Sequence, residues 1–288
     1  MTNSSINISK LLKVYRAFIE RIFFSNSKFF LVVSYRKDRA FCCFDSDWKL
    51  IYRIEESQLK NQGFLDYKCC VLNSLDELII ASQTHDSPVI FFKIDEYGNF
   101  HQLGELKNFP LIQSLTVDSV NNFYIHSPEM DSPICKYSSG FLHLKDIGEY
   151  EKLRKTVTQK IGILTSDQNN VYFVHENQPR HLEVYSQQGE FINKKEVNPG
   201  FQYLDITVFE KNLFLLAMEP DFKSRFVEKT SLEGPENQIF RMKDYTQSIT
   251  VDNSKSLIGS HTRFSIWYML SSLNIYGAQT RIYRQKTG

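Results

Sequence analysis

The chain has 288 residues, with 34 Lys+Arg against 33 Asp+Glu and a formal net charge of +1. That balance argues against a dedicated nucleic-acid binder, whose surface normally carries a clear basic surplus. Hydrophobic residues make up 42% and aromatics 14%, enough for a substantial core, and the excess of Phe (23) and Tyr (15) over Trp (2) suits pleated strands.

Residues 1–6 are polar. Ile8, Leu11, Leu12, Tyr15, Phe18, Ile19 and Ile22 follow at helical spacing, with Lys10, Lys13, Arg16 and Arg21 on the other face. Residues 1–19 are therefore expected to be an N-terminal helical segment. Its apolar stripe either covers the domain that follows or gives weak peripheral membrane contact through residues 8–22; an apolar stripe normally faces core, which favours the first.

From residue 20 to 288 one pattern recurs: a short apolar strand, a polar turn, and a second apolar strand. It is worn at 21–33 (R-I-F-F-S-N-S-K-F-F-L-V-V) and clear at 70–82 (C-V-L-N-S-L-D-E-L-I-I-A-S), 114–129, 163–176 and 249–261. At 206–218 the turn is one residue shorter. The residues that enter the turns include Asn73, Asp118, Ser166, Phe209 and Asp252, a recurrence of roughly 45 residues. A third and fourth strand complete each unit, several across a Gly-bearing turn such as D-E-Y-G-N at 95–99, where Gly supplies the positive φ of a hairpin.

The expected units are 20–60, 67–106, 114–148, 162–197 and 204–243, with a sixth from residue 247. In that last unit, segments 263–270, 273–276 and 281–284 compete for two strand places, and one of them is expected to close against the first unit. Short strands at a fixed period with no linker predict an all-β, single-domain chain of four-stranded antiparallel blades, a six-bladed β-propeller.

The segments L-E-V-Y-S-Q-Q-G-E-F-I (182–192) and S-L-T-V-D-S-V-N-N-F-Y-I (114–125) resemble NHL-type repeats of six-bladed propellers. The resemblance spans about residues 20–285. It implies the fold, and carries no catalytic residue onto this chain.

The five cysteines include two vicinal pairs, Cys42–Cys43 and Cys69–Cys70, within strand patterns. Neighbours in a strand point to opposite faces, so neither pair chelates a metal as a unit, and buried thiols in a reducing compartment are expected. Charged residues interrupt the N-terminal apolar clusters and no apolar run reaches membrane-spanning length, so the expected location is cytoplasmic.

In an up-and-down blade, the loops between second and third strands and the loops leading to the next blade emerge at one end. That end is the expected face for a small molecule or a protein partner. Its second-to-third loops hold Tyr35 and Arg36, His85 and Asp86, His126 and Glu129, His175 and Glu176, Glu219, and His261 and Arg263; its inter-blade loops add Phe109, Phe201 and Tyr203. Tyr35, Arg36, His126, Glu129, Phe201, Tyr203, Glu219 and Arg263 are expected to bind ligand. His175, Glu176 and His261 are the candidates for acid–base or ligand chemistry, since imidazole titrates near neutrality. No G-x-S-x-G, H-E-x-x-H or phosphate-binding Gly loop is present. Two function classes follow: a propeller that binds without chemistry, and a propeller enzyme such as a lyase, cyclase or metal-assisted hydrolase. A divalent metal is compatible with the histidines but no specific motif indicates one.

Overall fold

The computed structural model describes residues 5–7, 11–12, 17–35, 38–149, 162–175, 180–221, 224–231, 237–252, 256–263 and 279–286. They form an all-β propeller fold of four-stranded antiparallel sheets with a short α-helix, α1 (Glu56–Leu59); Leu11 is helical as well. In chain order, β2 (Ala17–Ser25), β3 (Lys28–Tyr35), β4 (Asp38–Asp45) and β5 (Leu50–Glu55) make the first sheet. The second is β6 (Tyr67–Leu72), β7 (Leu78–Ser82), β8 (Val89–Ile94) and β9 (Phe100–Leu106). The third is β10 (Ser114–Val117), β11 (Phe123–His126), β12 (Ile134–Tyr137) and β13 (His143–Ile147).

The fourth sheet is β14 (Gly162–Ser166), β15 (Asn170–His175), β16 (His181–Ser186) and β17 (Phe191–Glu196). The fifth runs β18 (Gln202–Phe209), β19 (Asn212–Met218), β20 (Arg225–Ser231) and β21 (Asn237–Arg241). The last has the order β1 (Ser5–Asn7), β24 (Gln279–Lys286), β23 (Ser256–Arg263), β22 (Thr246–Val251). Neighbouring strands are hydrogen-bonded in each of these orders.

The residues divide into two compact units, 1–61 with 209–288, and 62–208. In the second unit the first strands β6, β10 and β14 lie side by side. Polar atoms stitch β10 to β14: the Leu164 amide donates to Ser114 Oγ at 2.9 Å and Ser166 Oγ donates to the Val117 carbonyl at 2.7 Å. In the first unit β2 lies beside β22, and the Ile22 amide donates to Ser248 Oγ at 3.1 Å. Aromatic and aliphatic residues fill the spaces between sheets; Phe91, Phe123, Ile125 and Leu115, for example, belong to one buried cluster. All five cysteines are free and buried, and burial pushes the Cys42 and Cys135 thiols up to about 12.

The N-terminal segment departs in part from the sequence reading: Leu11 is helical, but strands flank it. Phe18, Ile19 and Ile22 lie in strand β2, and Ser5–Asn7 is a strand that pairs antiparallel with β24 (Ser5 with Tyr283, Asn7 with Arg281). The helical spacing has a physical origin in β2. A bulge between Ile19 and Arg21 inserts one residue, so the buried positions run Ala17, Ile19 and then Ile22 instead of strictly alternating. A bulged strand thus imitates the three-residue step of a helix.

The freed residue, Glu20, accepts a hydrogen bond from Arg39 Nε at 3.0 Å. Leu12 is buried in the β2–β4 core cluster and its carbonyl accepts from Arg53 at 2.8 Å, while residues 8–10 and 13–16 lie outside the described residues. Sheet closure differs too. The last sheet takes β23 and β24 from the C-terminal part and its outermost strand from the N-terminus, and of the competing segments 264–278 lie outside the described residues. Among the described residues no helix is long and apolar enough to cross a membrane.

Deleting residues 1–7 removes β1 and exposes the edge of β24. At roughly 1 kcal/mol net per lost hydrogen bond, the loss is about 2 kcal/mol, or a fall in melting temperature of roughly 5 °C. Calorimetry checks this; an unchanged melting temperature contradicts the β1–β24 pairing.

Candidate functional site

Residues 62–208 contain a cavity at one end of the second and third sheets. The β7–β8 connection (83–88), the connection between the second and third sheets (107–111) and Glu129 from the β11–β12 connection enclose a cavity of about 630 Å³. His85, Asp86, Phe109 and Glu129, expected at one end from strand direction alone, meet there.

Gln83, which the sequence reading missed, fixes the cavity wall. It is 3% exposed; its Nε2 donates to the Phe109 carbonyl at 3.1 Å and the Ser87 carbonyl at 3.2 Å, while its Oε1 accepts from the Ile112 amide at 3.0 Å. One amide side chain thus ties the second-to-third loop to the inter-sheet loop. Beside it, the Thr84 amide donates to Ser87 Oγ at 2.8 Å, which closes the turn that presents His85 and Asp86. The His85–Asp86 pair is exposed, Nδ1 to Oδ2 at 2.8 Å. Phe109 is buried in the wall, while Leu111 is 41% exposed and offers an apolar surface. The cavity therefore combines carboxylates, an imidazole and the Lys107 amine with Phe109, Pro110 and Leu111.

The other histidines follow a different logic. His175 ends β15 and His181 begins β16, directly across the strand pair. His181, Glu183 and Tyr185 alternate along β16 and therefore share a face. His175 Nε2 donates to Glu183 Oε2 at 2.8 Å, His181 Nε2 donates to Oε1 at 2.9 Å, and the Tyr185 hydroxyl donates to Oε2 at 2.6 Å. The two imidazoles stack with centroids 4.2 Å apart.

All three clustered residues are buried: His175 2%, His181 1% and Glu183 8% exposed. Burial alone would raise the Glu183 pKa; the hydrogen bonds from His175, His181 and Tyr185 and the charge of His175 override it and hold the carboxyl well below the usual carboxylate range. The same burial and the adjacent Glu183 carboxylate push the Tyr185 hydroxyl upward.

His126, at the end of β11 on the neighbouring sheet, faces the cluster through Phe173, whose ring lies 4.9 Å from His126 and 4.4 Å from His175. Its Nδ1 donates to the Pro133 carbonyl at 2.7 Å. Two glycines make room. A Cβ on Gly162 would sit 2.1 Å from the Phe173 ring, and one on Gly148, at φ +77°, would sit 2.5 Å from the Tyr185 hydroxyl. Glu183 and Tyr185 also line a second, more open recess of about 350 Å³ with Asp146 and Glu149.

The remaining candidates are dispersed. His175 and His126 are buried strand-end residues instead of exposed loop groups, because each second strand runs one step further than the polar spacing indicated. Phe201 and Tyr203 are buried at 8% and 2%. Tyr35 lies under Arg53, whose guanidinium carbon is 5.3 Å from its ring. The Glu219 amide closes its own loop by donating to the Ser224 carbonyl at 3.3 Å. His261 and Arg263 occupy β23, opposite Arg281 and Gln279. Arg36 and Glu176 lie outside the described residues. Glu183 was missed because it sits mid-strand; the signal was the H-x-E-x-Y alternation at 181–185.

No family model matches the sequence, and no curated protein matches it. Solved structures do share the fold. A catalytically inactive virginiamycin B lyase from Staphylococcus aureus, solved with quinupristin, superposes with TM-score 0.60 at 12% identity, covering 98% of each chain. A streptogramin B lyase gives TM-score 0.58 at 11% identity over 98% of this chain and 96% of that one. A putative exported protein from Bacteroides fragilis gives TM-score 0.65 at 9% identity over 99% and 95%. At these identities the likeness is one of fold.

Replacing Glu183 by Ala strands two buried imidazole N–H groups and is expected to cost about 3 kcal/mol. Gly148→Ala pushes Tyr185 off the carboxylate and costs roughly 1–3 kcal/mol. Urea denaturation measures both; variants as stable as the parent contradict the buried network.

Proposed function

We propose that the chain is a binding propeller that takes a small molecule or a short peptide segment at the end formed by its second-to-third-strand loops. The observation that carries this reading is the roughly 630 Å³ cavity where two such loops and one inter-sheet loop converge. Its size is that of a ligand pocket, and its lining residues are mostly polar, with Pro88, Phe109, Pro110 and Leu111 supplying the apolar part. Asp86 and Glu129 favour a cationic or hydrogen-bond-donating group on the ligand; Phe109 and Leu111 favour an apolar one. The opposite end offers less. There Asp118 Oδ1 accepts from the Val120 and Asn122 amides at 3.1 and 2.8 Å, and Asp167 Oδ1 from the Asn169 and Asn170 amides, both at 2.8 Å. These carboxylates are occupied in holding turns.

The enzyme reading stays as the second, because one observation favours it: the His175–Glu183–His181–Tyr185 cluster, in which Glu183 and Tyr185 open onto their own recess. The NHL-type resemblance adds to the fold and not to the choice between them.

A native mass-spectrometric survey of the purified chain against metabolites and short peptides tests the proposal. A ligand is expected whose affinity falls at least about tenfold, or 1.4 kcal/mol, in the double variant His85→Ala, Glu129→Gln, with the melting temperature unchanged. A ligand that the double variant binds as tightly as the parent puts the site elsewhere.

A further inference from the structure

We propose that His175, His181 and Glu183 form a binding site for one divalent transition-metal ion, zinc being the best fit. Each of the three side chains offers one donor atom, and these atoms all lie within 4.8 Å of one another. Metal–ligand bonds of about 2.0–2.2 Å set tetrahedral donor–donor edges of roughly 3.3–3.6 Å, so the Nε2-to-carboxylate distances of 2.8 and 2.9 Å, now hydrogen bonds, open by about half an ångström to admit the ion. The scaffold is rigid. His175 and His181 are a cross-strand pair and Glu183 is two residues along the same face, so strand pairing and not loop conformation sets the spacing.

Two further features separate this cluster from an ordinary buried ion pair. First, the Tyr185 hydroxyl donates to Glu183 Oε2 at 2.6 Å, which orients the carboxylate as an outer-shell partner orients a metal ligand. Second, the cluster is buried but reachable: Glu183 and Tyr185 line the recess of about 350 Å³, whose other carboxylates, Asp146 and Glu149, favour entry of a cation. Two imidazoles and one carboxylate leave a fourth position for water, and this borderline donor set suits zinc over calcium or magnesium. Metal binding replaces the protons now shared between the imidazoles and Glu183: each imidazole turns its Nε2 lone pair to the ion and keeps its remaining proton on Nδ1, and any surplus proton leaves to solvent. The inference is independent of the ligand cavity between the second and third sheets.

The test uses the full, untagged chain, stripped with a chelator, desalted, and given one equivalent of metal. With zinc, native mass spectrometry is expected to find one ion per chain. With cobalt(II), visible absorption bands of a low-coordinate site are expected, abolished by one equivalent of zinc. Glu183→Gln, close to isosteric, should weaken zinc binding at least about tenfold, and His101→Ala, an exposed imidazole remote in sequence, should leave it unchanged. A parent chain that retains no zinc and gives no cobalt bands overturns the proposal, as does a folded Glu183→Gln variant that binds like the parent. If Glu183→Gln fails to fold, the parent's cobalt spectrum decides alone.

Discussion

Antiparallel pairing within each sheet is the constraint on which the rest depends. Because each strand reverses the one before it, every second-to-third connection emerges at the same end as the connection to the next sheet. In residues 62–208 this delivers 83–88, 107–111 and Glu129, far apart in sequence, to a common cavity. The bonds from Ser114 and Ser166 tie the first strands of the third and fourth sheets, and at the cavity itself Gln83 ties the β7–β8 loop to the Phe109 carbonyl and the Ile112 amide. The geometry of this cavity is therefore a consequence of strand direction and sheet spacing, and the loops themselves need little regular structure.

The two ends divide the polar residues by task. At the first-to-second-strand turns, Asn73 and Asp118 are buried and spend their side chains on turn amides; Asn73 accepts from the Leu75 and Glu77 amides at 3.0 and 2.9 Å. Such residues recur because each turn has the same unsatisfied donors. At the other end the recurring residues are histidines at strand termini, and here chemistry differs between sheets. His126 satisfies a backbone carbonyl, while His175 and His181 converge on Glu183. A buried carboxylate with three donors is costly to break, and it persists only where the partners are all in place.

The fold was readable because turn residues and apolar pairs repeat at a blade's length; the expected unit 67–106 coincides with Tyr67–Leu106 and 114–148 nearly so with Ser114–Ile147. The N-terminal segment was misread where a bulge at Glu20 shifted the burial pattern into helical register, and where Ser5–Asn7 pairs with a strand at the far end of the chain, a contact that local periodicity does not encode. For the candidate site, strand direction grouped residues that do line one cavity. It placed His85, Asp86, Phe109 and Glu129 in the cavity wall, but could not reveal Gln83, whose role rests on contacts with residues 26 to 29 positions away. Nor did it place Glu183 with His175, since the side that a strand residue faces depends on a register that only the folded sheet fixes.

The central claim is that ligand recognition belongs to the end where second-to-third and inter-sheet connections meet. A crystallographic fragment screen of the full chain tests it most directly. The account predicts fragments bound between residues 83–88, 107–111 and Glu129, stacked on Phe109 or Leu111 with polar groups toward Asp86 and Glu129. Fragments gathered instead at the opposite-end turns around Asp118–Asn122 and Asp167–Asn170, with that cavity empty, would contradict it.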